Sequence, residues 1–295
     1  MASARRWLEM MPAALDPAFH PQEPIRDRYD VVIAGARVAG ASTALLLARA
    51  GMSVLVVDPL PRGRDTLSTH ALMRGAVMQL HRWGVLGAVR AQGTPAITHT
   101  TFAYGPDHRV TIPIKSRDGV DALYAPRRTV LDPVLASAAG EAEAQLAYGY
   151  ALADLMRDET GRVCGAWIQS RDGVCRKVRA GTVIGADGMR SKVARLVKAP
   201  VVCSARHATA SIYGYWDGMD SSEYIWSFRP RSSMGVIPTN DEQACVFASV
   251  PPEVFKSLGG KGLESCYRQT IRTLHPELAD QLAATGASPR LRGFA

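Results

Sequence analysis

Cysteine is sparse in this chain and poorly placed for cross-linking. There are five, Cys164, Cys175, Cys203, Cys245 and Cys266, an odd number scattered without C-x-x-C spacing. That pattern argues against a disulfide framework and against a zinc site, and no metal-binding residues are assigned. Apolar runs are also short. None approaches the roughly 20 residues that span a bilayer, and the first thirty residues lack a secretory apolar core, so no transmembrane segment is expected and the expected location is the cytoplasm. Dense basic runs are missing too. The formal net charge is +8, but the lysines and arginines are dispersed and no motif interleaves them with aromatics. Nucleic acid is therefore not an expected partner, and a basic surface suits anionic cofactors and acidic substrates better.

What is present is enough for a sizeable core. At 295 residues and 47% hydrophobic, the chain is globular and long enough for about two domains. Residues 1–29 carry Pro12, Pro17, Pro21 and Pro24 among charges without periodicity, and read as a mobile extension.

The organising stretch is residues 30–58, DVVIAGARVAGASTALLLARAGMSVLVVD. Val31, Val32, Ile33 and Ala34 form the apolar run of a parallel strand buried on both faces, and Gly35 breaks it. Residues 39–50 are apolar nearly all round, as a crossover helix should be, and Gly51 ends them. Residues 53–57 form a second strand. Asp58 closes it about 20 residues after the turn, where a ribose hydroxyl needs an acceptor. Strand, turn, helix and strand in register predict a dinucleotide site on Gly35, Ala36, Arg37, Val38, Ala39 and Gly40, with a pyrophosphate at the positive end of the helix. Arg37 replaces the middle glycine of G-x-G-x-x-G. Its guanidinium would favour two phosphates if its Cβ is accommodated.

Further along, DTLSTHALMRGAVMQLHRWGV has helical spacing through Leu72, Val77, Leu80 and Trp83. Residues 100–104 and 109–114 read as short strands, and YAPRRTVLDPVLASAAGEAEA as a helix entered at Arg127 and Arg128 with Pro133 in its first turn. Residues 145–185 read as an antiparallel excursion that ends in VIGADG, where Asp187 and Gly188 offer a second ligand turn at a strand's carboxyl end. Residues 208–250 read as the strands of a second sheet, and residues 258–284 as helical.

Together the motifs GARVAGASTALLLARAGMSVLVVD, RRTVLDPVL and GADGMRSKVARLV resemble, in order and separation, those of the FAD-dependent monooxygenase superfamily of p-hydroxybenzoate hydroxylase, which also includes geranylgeranyl reductases and flavin halogenases. The likeness covers residues 30 to about 290. It implies an α/β fold: a Rossmann-like FAD-binding domain, βαβ with a parallel sheet, interleaved with a mostly antiparallel β-sheet substrate domain. The expected division is 30–199 for the FAD-binding domain, with strands in 97–123 contributing to the substrate sheet, and 200–295 for the substrate domain. The resemblance further implies that residues 35–40 hold the FAD pyrophosphate, Asp58 the adenosine ribose, and Arg128 the flavin side. Asp187 and Gly188 match the D-G motif, associated with FAD and with NADH or NADPH as transient reductant. In family members a G-D motif and a long helix follow a segment like RLRGFA. They are not in these 295 residues, so the sequence reads as truncated.

Flavin chemistry comes largely from the cofactor, so no catalytic triad is expected and no catalytic residue is assigned. His70 reads either as a contact to cofactor or substrate or as a loop or cap histidine, and Arg74 is equally open. Tyr213, Tyr215, Trp216 and Arg229 read either as an aromatic pocket with one cation, suited to a phenolic or acidic molecule, or as sheet packing. Arg62 and Arg64 would favour a 2′-phosphate, which Asp58 repels. The leading expectation is an NAD(P)H-dependent monooxygenase hydroxylating a small aromatic or related organic molecule. A double-bond reductase and a non-catalytic FAD-binding fragment are the alternatives. A halogenase would carry W-x-W-x-I-P, but Ser233 and Gly235 occupy the tryptophan places.

Overall fold

The computed structural model of the chain describes residues 24–294 except 69, 106, 206–207, 220, 259–261 and 287–288. The expected N-terminal extension lies outside the described residues as far as residue 23. From there the chain is already packed, since Ile25 and Tyr29 are buried. In chain order the strands are β1 Arg28–Ala34, β2 Val54–Asp58, β3 His99–Tyr104, β4 Arg109–Pro113, β5 Gln145–Tyr148, β6 Tyr150–Arg157, β7 Val163–Ser170, β8 Cys175–Gly185, β9 Ala210–Asp217, β10 Glu223–Arg229, β11 Ser232–Pro238, β12 Gln243–Val250 and β13 Arg292–Phe294. The helices are α1 Val38–Arg49, α2 Arg74–Arg82, α3 Leu86–Ala91, α4 Arg128–Glu141, α5 Lys192–Leu196, α6 Pro252–Ser257, α7 Leu263–Leu274 and α8 Pro276–Ala284.

The chain divides into two compact units that alternate in sequence. The first takes the described residues up to Arg64 and Leu131–Val201; the second takes Asp65–Val130 and the residues from Val202 onward.

The first unit is built on a six-stranded sheet ordered β5-β2-β1-β8-β7-β6. β1 pairs in parallel with both β2 and β8. Apolar residues on both sides of these strands, among them Val32, Leu55, Val57 and Val178, form its core, as the unbroken apolar runs predict. At its start β1 is tied to β2 by Asp30, whose carboxylate accepts from the backbone N–H of Ser53 (2.8 Å) and from its hydroxyl (2.7 Å).

Three local readings change here. β5 pairs in parallel with β2, so the excursion after residue 145 is not wholly antiparallel. Four residues are too short to carry a period that separates the two pairings. β8 is one strand of 11 residues, antiparallel to β7 in its first half and parallel to β1 in its second, which joins the excursion to the Rossmann-like strands without a break. Pro133 lies inside α4 rather than in its first turn. The lost N–H leaves the Thr129 carbonyl without its usual donor, and burial of Leu131, Leu135, Ala138 and Ala139 sustains the helix.

The second unit holds a seven-stranded sheet ordered β13-β9-β12-β11-β10-β3-β4, antiparallel except where β3 and β10 run together. One face is covered by α7 and α8, with Tyr267, Ile271, Leu274 and Leu278 packed on Ile212, Trp216, Met234, Val236 and Val246. The Trp216 indole N–H donates to the Tyr267 hydroxyl at 2.8 Å, which donates to the Val246 carbonyl at 3.1 Å. Within RLRGFA, Arg292–Phe294 supplies the edge strand β13 on β9. The helix expected from Leu72 starts only at Arg74. Leu72 instead bridges Tyr124, because His70 has a left-handed backbone (φ +64°) and Met73 an extended one.

Candidate functional site

In the first unit the strand-to-helix turn is shaped by two glycines. Gly35 has φ +100°, and a Cβ there would stand 2.4 Å from the Ala186 carbonyl oxygen; on Gly40 it would stand 1.7 Å from the Gly35 carbonyl oxygen. No side chain fits at either position. Arg37 is different. Its backbone is extended (φ −87°, ψ −169°), so a side chain is accommodated where the motif usually has glycine. Arg37 is the N-cap of α1 and makes no side-chain cap, leaving the first turn at Val38 and Ala39 uncapped by any side chain. An uncapped helix start above a glycine turn is an anion cradle.

Asp58 is buried and accepts the backbone N–H of Ala36 on one carboxylate oxygen and that of Leu60 on the other, each at 2.9 Å. It therefore fastens the turn to β2, and each oxygen keeps a lone pair for a further donor. Arg62 donates to the Pro133 carbonyl at 3.0 Å and to the Ser137 hydroxyl, which engages it with α4.

At the end of β8, Asp187 accepts from the backbone N–H groups of Lys192 (2.6 Å) and Val193 (3.2 Å) through Oδ2. Its Oδ1 is buried with no hydrogen-bond partner among the described residues. Gly188 follows with φ +84°. A carboxylate oxygen buried without a donor, beside a turn that excludes a Cβ at Gly35 and Gly40, fits a nucleotide cofactor bringing hydroxyl and phosphate groups.

In the second unit a row of aromatic side chains lies on the sheet face opposite α7 and α8. Strand register puts Phe102, Trp226, Gly235, Phe247, Tyr213 and Arg292 in one cross-strand row. Cys245 and Tyr215 share the next row on the same face. The Phe247 ring covers Gly235, where a Cβ would stand 2.4 Å from the ring, and Trp226 meets Phe247 edge-on at 5.8 Å between centroids. Tyr213 and Tyr215 meet edge-on at 5.9 Å. Period-two alternation separates Trp216 and Arg229 from Tyr213 and Tyr215: Trp216 is packed under the helices and Arg229 is exposed, so the four expected pocket residues do not form one pocket. Trp226 and Phe247, overlooked in the sequence, belong to the aromatic face, and the same alternation along β10 and β12 would have identified them.

Tyr215 is clamped between two groups. The Arg127 guanidinium lies 3.7 Å above its ring, and its hydroxyl is 2.5 Å from Nε2 of His70. Arg127 is itself held by the Gln243 side chain (3.0 Å) and by Asp65 (3.3 Å), whose same oxygen also meets Arg292 at 3.3 Å. His70 is only 3% exposed. Burial, then the Arg127 charge, pushes its pKa down to about 4, with Asp65 opposing and Arg128 adding to the shift. Burial likewise raises the Cys245 thiol to about 12 and the Tyr215 phenol above its ordinary value. Arg128 opens α4 and its field reaches His70. Arg74 holds the carbonyls of Lys115 (2.7 Å) and Val120 (3.2 Å) and is an anchor for that turn. Among the described residues no His, Cys, Asp and Glu cluster could hold a metal ion, and no helix is long and apolar enough to cross a membrane.

A family model described as FAD binding domain matches residues 28–280. The chain is 32% identical over 173 residues to menaquinone reductase of Mycolicibacterium smegmatis, covering 58% of this chain and 40% of that protein. It is 32% identical over 169 residues to digeranylgeranylglycerophospholipid reductase 2 of Methanothermobacter thermautotrophicus, covering 57% and 41%. The matched part thus spans about two fifths of each of these relatives. Among solved structures, PqsL, a probable FAD-dependent monooxygenase of Pseudomonas aeruginosa, superposes with a TM-score of 0.73 at 21% identity, covering 91% of this chain and 73% of that one. The flavin-dependent brominase Bmp2 superposes with a TM-score of 0.76 at 18% identity, covering 90% and 67%. These likenesses show a shared fold.

Proposed function

This chain belongs to the FAD-binding-domain family, and from that premise we propose that it is an FAD-dependent oxidoreductase, reduced by NADH or NADPH, acting on a planar aromatic or quinonoid molecule. The observation that carries the substrate class is the aromatic face of the second unit, where Trp226, Phe247, Tyr213 and Tyr215 line adjacent rows of one sheet. Flat apolar rings with a few polar groups at one end are matched by that surface. FAD, when bound, supplies hydride and oxygen chemistry.

The protein's part is positional. Residues 35–40 hold the pyrophosphate on the uncapped start of α1, with Arg37 adding positive charge. Asp58 and Asp187 accept from hydroxyl groups of the cofactor, and Arg128 adds positive potential at the start of α4. Hydroxylation of the bound molecule is the leading reading. Reduction of a quinone or an isoprenoid double bond is the second, favoured by the menaquinone and digeranylgeranylglycerophospholipid reductases among the relatives.

The first test is the visible absorption spectrum of the purified 295-residue chain before and after incubation with FAD. Stoichiometric flavin bands that survive desalting are expected, and a chain that stays colourless at saturating FAD would reject the reading. NAD(P)H oxidation with phenols and naphthoquinones then separates the two reactions. Substrate-dependent oxygen uptake marks hydroxylation, and turnover that persists without oxygen marks reduction.

A further inference from the structure

Tyr215 and His70 share a hydrogen bond whose direction can be deduced. The half-buried Tyr215 phenol has one proton to donate, and the Arg127 guanidinium over its ring offers no acceptor for it. Nε2 of His70, at 2.5 Å, is the acceptor. The neutral imidazole then carries its proton on Nδ1. The Pro126 carbonyl beside the ring favours a proton on the imidazole as well, without an aligned hydrogen bond to it. Nδ1 is buried and has no hydrogen-bond partner among the described residues.

The backbone adds a second observation. His70 sits at φ +64°, a conformation that costs a side-chain-bearing residue energy and persists where the surroundings hold it. The imidazole is stacked on Tyr215 with centroids 5.7 Å apart, and so stands against the aromatic face. Low basicity keeps it neutral near pH 7, with its pKa down at about 4 through burial and the charges of Arg127 and Arg128. An unpaired N–H close to a guanidinium calls for an oxygen bearing negative or partial negative charge.

We propose that His70 is a ligand-contacting residue whose Nδ1–H, held in that tautomer by Tyr215, donates to a carbonyl or oxyanion oxygen of a planar molecule on the aromatic face. This rests on the reading of that face as the substrate surface, and it names the residue that fixes the orientation of the oxygen. Substrates lacking such an oxygen are bound without that orientation.

The experiment uses the full chain without added FAD and two probes of one ring skeleton, menadione and 2-methylnaphthalene, which differ in the two carbonyls. His70→Gly removes the imidazole and tolerates the positive φ. His70→Asn also tolerates it and restores an N–H donor near the position of Nδ1. By equilibrium dialysis His70→Gly should weaken menadione about 10-fold and 2-methylnaphthalene less than about 2-fold, the difference expected for one hydrogen bond, while His70→Asn stays within about 3-fold for both. Nitrogen-15 NMR of labelled histidine should show Nδ1–H in the wild type, a shift of that signal on adding menadione, and mixed tautomers in Tyr215→Phe.

An Nε2–H tautomer in the wild type, equal losses for both probes, or no menadione binding would each overturn the inference. The NMR result needs only the wild type and Tyr215→Phe, so it decides even if His70→Gly does not fold. Menadione binding that depends on His70 in a chain that never takes up FAD would reject the functional reading and leave this inference standing. FAD uptake with a His70→Gly chain that binds menadione normally would do the reverse.

Discussion

His70 shows how much a single residue's neighbours decide. Its sequence context, LSTHAL, is unremarkable as chemistry, and both a loop role and a ligand role were open. Burial beside Arg127 lowers its pKa from the ordinary 6.5 to about 4. Between those values the unfolded chain binds a proton that the folded chain refuses, so stability rises with pH across that window and is lost as the pH falls from about 6.5 toward 4. The full effect is about 3 kcal/mol. Denaturant titrations at pH 7 and pH 4.5 should show the wild type losing more stability on acidification than His70→Asn, and parallel losses would contradict the buried neutral imidazole. Arg37 makes the opposite point. Its place in the motif was legible, whereas its fitness there depended on an extended backbone that composition does not reveal.

Among the elements, α5 is the shortest helix and the most dependent on its cap. It has five residues and follows directly on the Asp187 turn. Ser191 accepts the Ala194 N–H at 3.0 Å, while Asp187 accepts those of Lys192 and Val193. Five residues cannot sustain a helix by propensity alone, so the caps and the burial of Val193 must do so. Asp187→Ala should cost about 1–2 kcal/mol, and hydrogen exchange at the Lys192 and Val193 amides should accelerate while amides in β1 keep their protection. Unchanged exchange at α5 would show that Asp187 is not its cap. On the β side, strand existence was legible from short apolar runs, but facing was not. Tyr215 and Trp216 are neighbours in sequence and lie on opposite faces of β9, one with His70 and the other under α7. Alternation separates them once the face covered by helices is known.

For the molecule as a whole, the two units each bury their own core, and the chain passes between them at residues 64–65, 130–131 and 201–202. A ligand held by the first unit stabilises that unit by mass action. Adding FAD should raise the thermal midpoint in proportion to the logarithm of its concentration, about 2.7 kcal/mol of stabilisation at one hundred times the dissociation constant. Gly40→Val should abolish the shift, because the added side chain meets the Gly35 carbonyl where the helix start must approach the cofactor. A shift of equal size in that variant would place FAD binding elsewhere in the chain.

The βαβ unit, the glycine turn, Asp58 and the D-G turn were determined by the sequence itself, because strand and helix periods, glycine positions and a strand-end carboxylate are local properties of residues 30–58 and 185–188. Tertiary structure alone decided that Asp58 is tied to the Ala36 and Leu60 amides, and that Asp187 keeps one oxygen unpaired. It also brought Asp65, Arg127, Gln243 and Arg292 together around Tyr215. Those partners are separated by as many as 227 residues. No local pattern encodes contacts at that range; they exist because strand order and register bring β9, β12 and β13 side by side and fix which side chains share a face.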